Sequence, residues 1–314
     1  MSNSMLFLHH YEASPYAEKL RAMFGLAGCR WGSVLTPPYP PRPDVDPLAG
    51  GYRRIPIAHA GADVFCDTAL IAAEVAALTG HAELAPTFSD PRAQALAEQA
   101  EGPVFFTAIT SAPPLKLLGK LLATSGPVGT FKFIRDRTGM MKGATVKPPQ
   151  GAEAARILEA FLAELEAHLA GRDSVEAGGI AYADFCVYHP IWLALSVGSA
   201  RTLERHEHVR RWLKRMEALG QGERQEMTAE EAFQAAEGVE PRALPSACGS
   251  HEALGELVTI APDDYGRAGV TGTLLAATDE RYILSRSTER FGSLHVHFPR
   301  AGYEVTRPGT EAGH

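Results

Sequence analysis

Apolar and polar positions alternate between two periods along this chain, and the switches between them mark its organisation. Leu6-Phe7-Leu8 is a short apolar run that ends in polar His9-His10, which reads as a strand. Ser14-Pro15 follows, with Ser at a helix cap and Pro at its first position, so a helix opens there. Two more short strands flank Gly61-Ala62-Asp63, one around Ile55-Pro56-Ile57-Ala58-His59 and one at Val64-Phe65-Cys66. Pro56 cannot donate to a ladder, so it belongs at a strand start or edge, where a cis bond is admissible. Asp67-Thr68 then opens a helix with Ile71, Val75 and Leu78 on one face, stopped by Gly80.

Beyond Asp90 the period becomes helical. Residues 92–110 read as a helix disturbed at Gly102-Pro103, and residues 115–139 as two helices around Gly126-Pro127. Ile157, Leu158, Phe161, Leu165 and Leu169 form one apolar stripe. Residues 181–196 and the stretch bearing Val209, Trp212, Leu213 and Met216 add two more helices, and Thr228-Ala229-Glu230-Glu231 caps a last one. After Gly238 the period falls to two. Val270–Ala277, Tyr282–Ser285, Leu294–Phe298 and Tyr303–Thr306 read as strands, with Glu256–Ala261 a candidate fifth.

Residues 5–80 resemble the thioredoxin-like domain of the glutathione S-transferase superfamily, and the helical block is what that superfamily places next. The fold expected is therefore α+β followed by α. A thioredoxin-like domain spans residues 1–82, an all-helical transferase-type domain 91–238, and a small antiparallel β domain 239–314. The last is matched to no family. One departure is local: the core helix of that family begins with a capping box, and here Ala181 stands where its hydroxyl belongs, with Asp184 in place.

The resemblance implies site residues. Ser14 takes the thiol-activating position, Ile55 and Pro56 the backbone contact to the cysteinyl unit, and Asp67 with Thr68 the γ-glutamyl anchor. Tyr16 falls beside them as a further glutathione-binding candidate, and Tyr11 is the alternative thiol activator. From the residues alone, Ser14 reads first as a helix cap, and the matching Pro56 and Asp67-Thr68 bring the activating role level with it. A serine here cannot form the mixed disulfide that a cysteine would, so addition or substitution by the glutathione thiolate is preferred over thiol-disulfide exchange. The implied co-substrate is glutathione, the second substrate a small apolar electrophile, and the assembly a homodimer. The alternative is a non-catalytic adaptor that binds a protein partner through the β domain.

Composition narrows the classes. The chain of 314 residues is 45% hydrophobic with a formal charge of −7, which argues against a nucleic-acid partner. Cys29, Cys66, Cys186 and Cys248 form no C-x-x-C pair, so neither a zinc ribbon nor a dithiol redox site is expected, and no metal. No run is long enough to span a bilayer, and the first residues lack the basic region of a signal peptide. A cytoplasmic protein with no membrane partner is the expectation. His295 and His297 share one face of a strand and are expected at the solvent. Lys132, Arg135, Arg137, Lys142 and Lys147 form a basic stretch that reads as a solvated face, with attraction of an anionic co-substrate or an acidic partner tail as the alternative.

Overall fold

A computed structural model describes residues 5–197 and 200–308. Strand β1 (Leu6–His10) leads to helix α1 (Pro15–Ala27), then β2 (Arg30–Leu35), α2 (Asp46–Ala49), β3 (Ile57–Ala60), β4 (Asp63–Cys66) and α3 (Thr68–Thr79). β1 pairs parallel with β2 and antiparallel with β3, and β3 pairs antiparallel with β4. β1 and β4 therefore run the same way, which sets the starts of α1, α3 and β3 along one edge of the sheet. This is the thioredoxin-like arrangement.

The helical part comprises α4 (Pro91–Gln99), a wide turn over Ala100–Val104, α5 (Phe105–Thr110), α6 (Pro114–Met140), α7 (Gly151–His168), α8 (Tyr182–Ser196), α9 (Ala200–Leu203) and α10 (Glu207–Ala218). Gly102 leaves helical geometry at the wide turn, and Gly126 with φ 63° breaks α6 where two helices are expected. Leu158, Phe161 and Leu165 of α7 pack with Phe185, Val187 and Ile191 of α8 and with Trp212 of α10. Leu20, Met23 and Phe24 of α1 join the same core, so the two parts share their apolar interior.

Asp184 accounts for the absent capping hydroxyl at Ala181. Its carboxylate accepts from the backbone N–H of Val175 at 2.7 Å, of Ala181 at 3.1 Å and of Glu176 at 3.3 Å, and from Trp212 Nε1 at 2.8 Å. Burial pushes its pKa up to about 6 although these donors favour the ionised form.

One element was not legible. β5 (Glu223–Met227) lies inside the block expected to be all helical, and pairs parallel with β2 at the edge of the sheet. Its sequence, Glu-Arg-Gln-Glu-Met, carries no apolar alternation because an edge strand needs little burial. Helix α11 (Ala229–Gln234) follows from the Thr228 cap.

The last five strands are β6 (Leu257–Pro262), β7 (Val270–Ala277), β8 (Arg281–Thr288), β9 (Gly292–Pro299) and β10 (Tyr303–Thr306). They pair antiparallel among themselves, and β9 pairs parallel with β4, so the ten strands among the described residues form one sheet in the order β10-β6-β7-β8-β9-β4-β3-β1-β2-β5. The C-terminal strands curl: Tyr303 of β10 lies 5.8 Å from Phe298 of β9, four strands away in that order. Val258, Leu284 and Val296 share a core with Val45, Leu48, Ile57 and Val64.

This junction corrects the expectation for the β9 histidines. β9 is an interior strand, covered on both faces, so His297 is buried and its Nε2 lies 2.9 Å from Asp63 Oδ1. His295 is half-buried beside it.

Candidate functional site

The edge that gathers the starts of α1, β3 and α3 carries the candidate glutathione-site residues, with Tyr11 in the β1–α1 turn just before Ser14. Ser14 caps α1. Its Oγ accepts from the Ala17 N–H at 3.2 Å, its own N–H donates to the Tyr11 carbonyl at 3.0 Å, and its side chain is buried. The Ser14 O–H proton is left as a donor at the positive end of the helix. Tyr11 stands upstream, its hydroxyl accepting from Arg137 Nη2 at 3.1 Å. Tyr16 turns towards the helical part. Its ring lies 4.7 Å from that of Phe105 and 4.9 Å from that of His189.

The Ile55–Pro56 peptide bond is cis, with Pro56 buried and Ile55 half-buried immediately before β3. Asp67 caps α3 through Oδ1, which accepts from the Ala69 N–H at 2.9 Å, and Thr68 is buried at the first helical position. Asp67 has φ 86° and ψ 141°, a backbone conformation that L residues rarely adopt. Burial raises the pKa of its carboxyl above the ordinary value, opposed by the Ala69 N–H and the nearby charges of Arg54 and Lys19.

Further residues belong to this edge and carried no sequence signal as a group. Tyr303 donates its hydroxyl to Asp67 Oδ2 at 3.3 Å and is hydrogen-bonded to the Tyr52 hydroxyl. The β6–β7 loop places Tyr265 against the site. Its hydroxyl is 3.4 Å from that of Tyr16, its ring packs edge-on at 5.7 Å from Phe106, and the Arg54 guanidinium lies 4.4 Å over its face. Arg54 also pairs with Asp264 and donates to the Tyr265 carbonyl at 2.6 Å. The loop is held from the other side as well, Thr145 N–H donating to the Asp264 carbonyl and Gly266 N–H to that of Met140, both at 2.8 Å.

Behind Tyr16 an ion pair between buried Lys19 and half-buried Glu101 joins the two parts. Lys19 Nζ lies 2.6 Å from Glu101 Oε1 and 3.3 Å from the Tyr182 hydroxyl, and His189 Nε2 lies 3.3 Å from the same Glu101 oxygen. Burial opposes both charges, yet each partner holds the other ionised, Glu101 well below and Lys19 well above its usual pKa. Lys19 and Glu101 are 82 positions apart, and only the fold brings them together.

The edge thus offers two helix N-termini, a hydroxyl donor, a carboxylate and two cations within one neighbourhood. That set suits a small ligand with anionic ends and an amine. A separate cavity of about 460 Å³, lined by Met5, Phe24, Cys29, Val75 and Leu78, opens on the opposite edge of the sheet. Among the described residues no group of three His, Cys, Asp or Glu is placed to hold a metal ion.

Residues 8–83 match the glutathione S-transferase N-terminal domain. Among solved structures the chain is similar to a glutathione-transferase-like protein from Pseudomonas syringae, at 29% identity and a TM-score of 0.74, over 97% of this chain and 99% of that one. It also overlays glutathione S-transferase III in its apo form, at 19% identity and a TM-score of 0.48, over 76% of this chain and 100% of that one. No curated protein matches the chain by sequence.

Proposed function

Since the chain belongs to the glutathione S-transferase superfamily, we propose that it binds glutathione at the shared edge of α1, β3 and α3 and directs the thiolate at a small apolar electrophile. One observation carries the reading: the Ile55–Pro56 backbone that leads into β3 lies between two helix N-termini, capped by Ser14 and Asp67. In this reading Asp67 and Thr68 take the γ-glutamyl group, the backbone at Ile55-Pro56 takes the cysteinyl unit, and Tyr16 lines the site. The Ser14 O–H donates to the sulfur. A free thiol near pKa 8.5 is mostly protonated at neutral pH. Lowering that by about two units takes ~2.7 kcal/mol, which a charge-assisted hydrogen bond and the helix dipole can jointly supply. Tyr11 is the alternative donor. We further propose a cytoplasmic homodimer, as the superfamily resemblance implies.

A second reading has its own support. Asp67 is already met by Tyr303, and Tyr265 is packed against the site, as they would be in a protein that uses the fold as an adaptor.

Calorimetric titration with glutathione separates the two. Saturable heat that disappears in Asp67→Ala supports the enzyme, and absence of heat at about millimolar glutathione, near cosubstrate-level KM values, favours the adaptor.

A further inference from the structure

Helix α6 is almost unburied. Of its 27 residues only Thr130 is fully buried, while Leu115 is 84% exposed, Val128 68% and Phe131 64%, with Leu118, Leu122 and Ile134 exposed beside them. Leu115, Leu118 and Leu122 recur at i, i+3 and i+7, so they form one stripe along the first half. The second half is tied to the body on its other side, where Asp136 pairs with Arg53 and Arg137 donates to the Tyr11 hydroxyl and, at 3.3 Å, to the Pro38 carbonyl. Phe131, Lys132, Ile134 and Arg135 are left facing outward.

The charge of this segment is opposite to that of the protein. Residues 114–147 hold seven lysines and arginines and one acid, Asp136, in a chain of formal charge −7. Among the described residues no carboxylate pairs with Lys116, Lys120, Lys132, Arg135, Lys142 or Lys147. Exposed apolar side chains flanked by unpaired cations have the composition of a helix that lies in a bilayer interface.

We infer that α6 is a docking surface for an anionic lipid bilayer, with Leu115, Leu118, Leu122, Val128, Phe131 and Ile134 entering the interface and the cations meeting headgroups. The charge selects this occupant over a second copy of the chain. A two-fold contact that lays α6 against its own copy would bring the same cations face to face, whereas an anionic bilayer meets them with opposite charge. No described helix is long and apolar enough to cross a membrane, so the contact lies on the surface and does not span. The inference does not depend on glutathione binding.

The test is flotation of the full chain with vesicles of phosphatidylcholine alone, or with about one third phosphatidylserine, at about 0.1 M and about 1 M salt. Expected is partition onto the anionic vesicles only, lost at high salt. Lys132→Gln and Arg135→Gln should each lower it about fivefold, from ~1 kcal/mol per surface cation. Phe131→Ser should lower it with glutathione titration unchanged, and its exposed position leaves folding intact. No flotation, or flotation unaffected by these variants, overturns the inference. So does a concentration-dependent dimer that Phe131→Ser dissociates while vesicles bind nothing, because a second copy then covers the face.

Discussion

The Tyr303 hydroxyl donates to Asp67 Oδ2 at 3.3 Å, across 236 positions of sequence, so the last described strand supports the N-cap of α3. Asp67 Oδ1 is held separately by the Ala69 N–H, which leaves its carboxylate fixed at both oxygens. A carboxylate fixed in this way is prepared for an incoming amine without further loss of rotamer freedom. Tyr303→Phe removes one of the two holds on it. Calorimetry should show glutathione binding weakened by roughly tenfold, since a hydrogen bond to a charged group contributes about 1.5–3 kcal/mol. An unchanged Kd would remove Tyr303 from the site.

Asp67 offers a sharper separation of stability from function. At φ 86° and ψ 141° an L side chain is strained by about 1–3 kcal/mol, whereas glycine reaches the same backbone freely. Glycine also replaces a cap at a loss of only a few tenths of a kcal/mol. Asp67→Gly should therefore match or exceed the parent in urea midpoint, and Asp67→Ala should fall below it by about 1 kcal/mol. Both should lose glutathione affinity. Equal affinity in all three proteins would place the ligand elsewhere.

The positions of Ser14, Pro56, Asp67 and Thr68 were legible because each punctuates a local pattern: a cap, a break in an apolar run, a helix start. The five C-terminal strands were legible from their period of two for the same reason. Nothing local reports that β9 pairs with β4, so the β region read as an appendage instead of half of one sheet. The solvent face assigned to His297 was wrong on that account, since a strand with neighbours on both sides and covered faces ignores simple alternation. Tyr265, Arg54, Lys19 and Glu101 were missed because their proximity is tertiary. Each alone is an ordinary loop tyrosine or helix charge.

Ser14 combines a cap and a proposed donor, and the two separate by measurement. Ser14→Ala loses the Oγ that accepts from Ala17, costing about 1 kcal/mol of stability. If its O–H also holds the thiolate, the pKa of bound glutathione should rise by about two units, seen in thiolate absorbance against pH, with a loss of roughly 10² in kcat/KM at neutral pH. Ser14→Thr should restore both, as threonine caps almost as well and carries the same hydroxyl. A normal thiolate titration in Ser14→Ala would transfer the role to Tyr11.

Acid should unfold the protein through buried neutral histidines. His9, His10 and His59 lie close together in β1 and β3 and are all buried. Burial lowers each pKa, to about 3 for His10, where Arg21 adds to the effect, and to about 4 for His59, while His9 is also well below its ordinary value. In the unfolded chain these groups titrate near 6.5, so below that pH the unfolded state binds more protons than the native one. The stability they contribute is complete above about pH 6.5 and declines as pH falls towards 4, by as much as ~1.4 kcal/mol per pH unit for each proton taken up. Urea midpoints measured between about pH 4.5 and pH 7.5 should therefore fall steeply on the acid side. His59→Asn removes one titrating site and should flatten that slope by up to one proton, even if it lowers stability at neutral pH. A parallel slope in the variant would show that His59 takes up its proton as readily in the folded protein as in the unfolded chain.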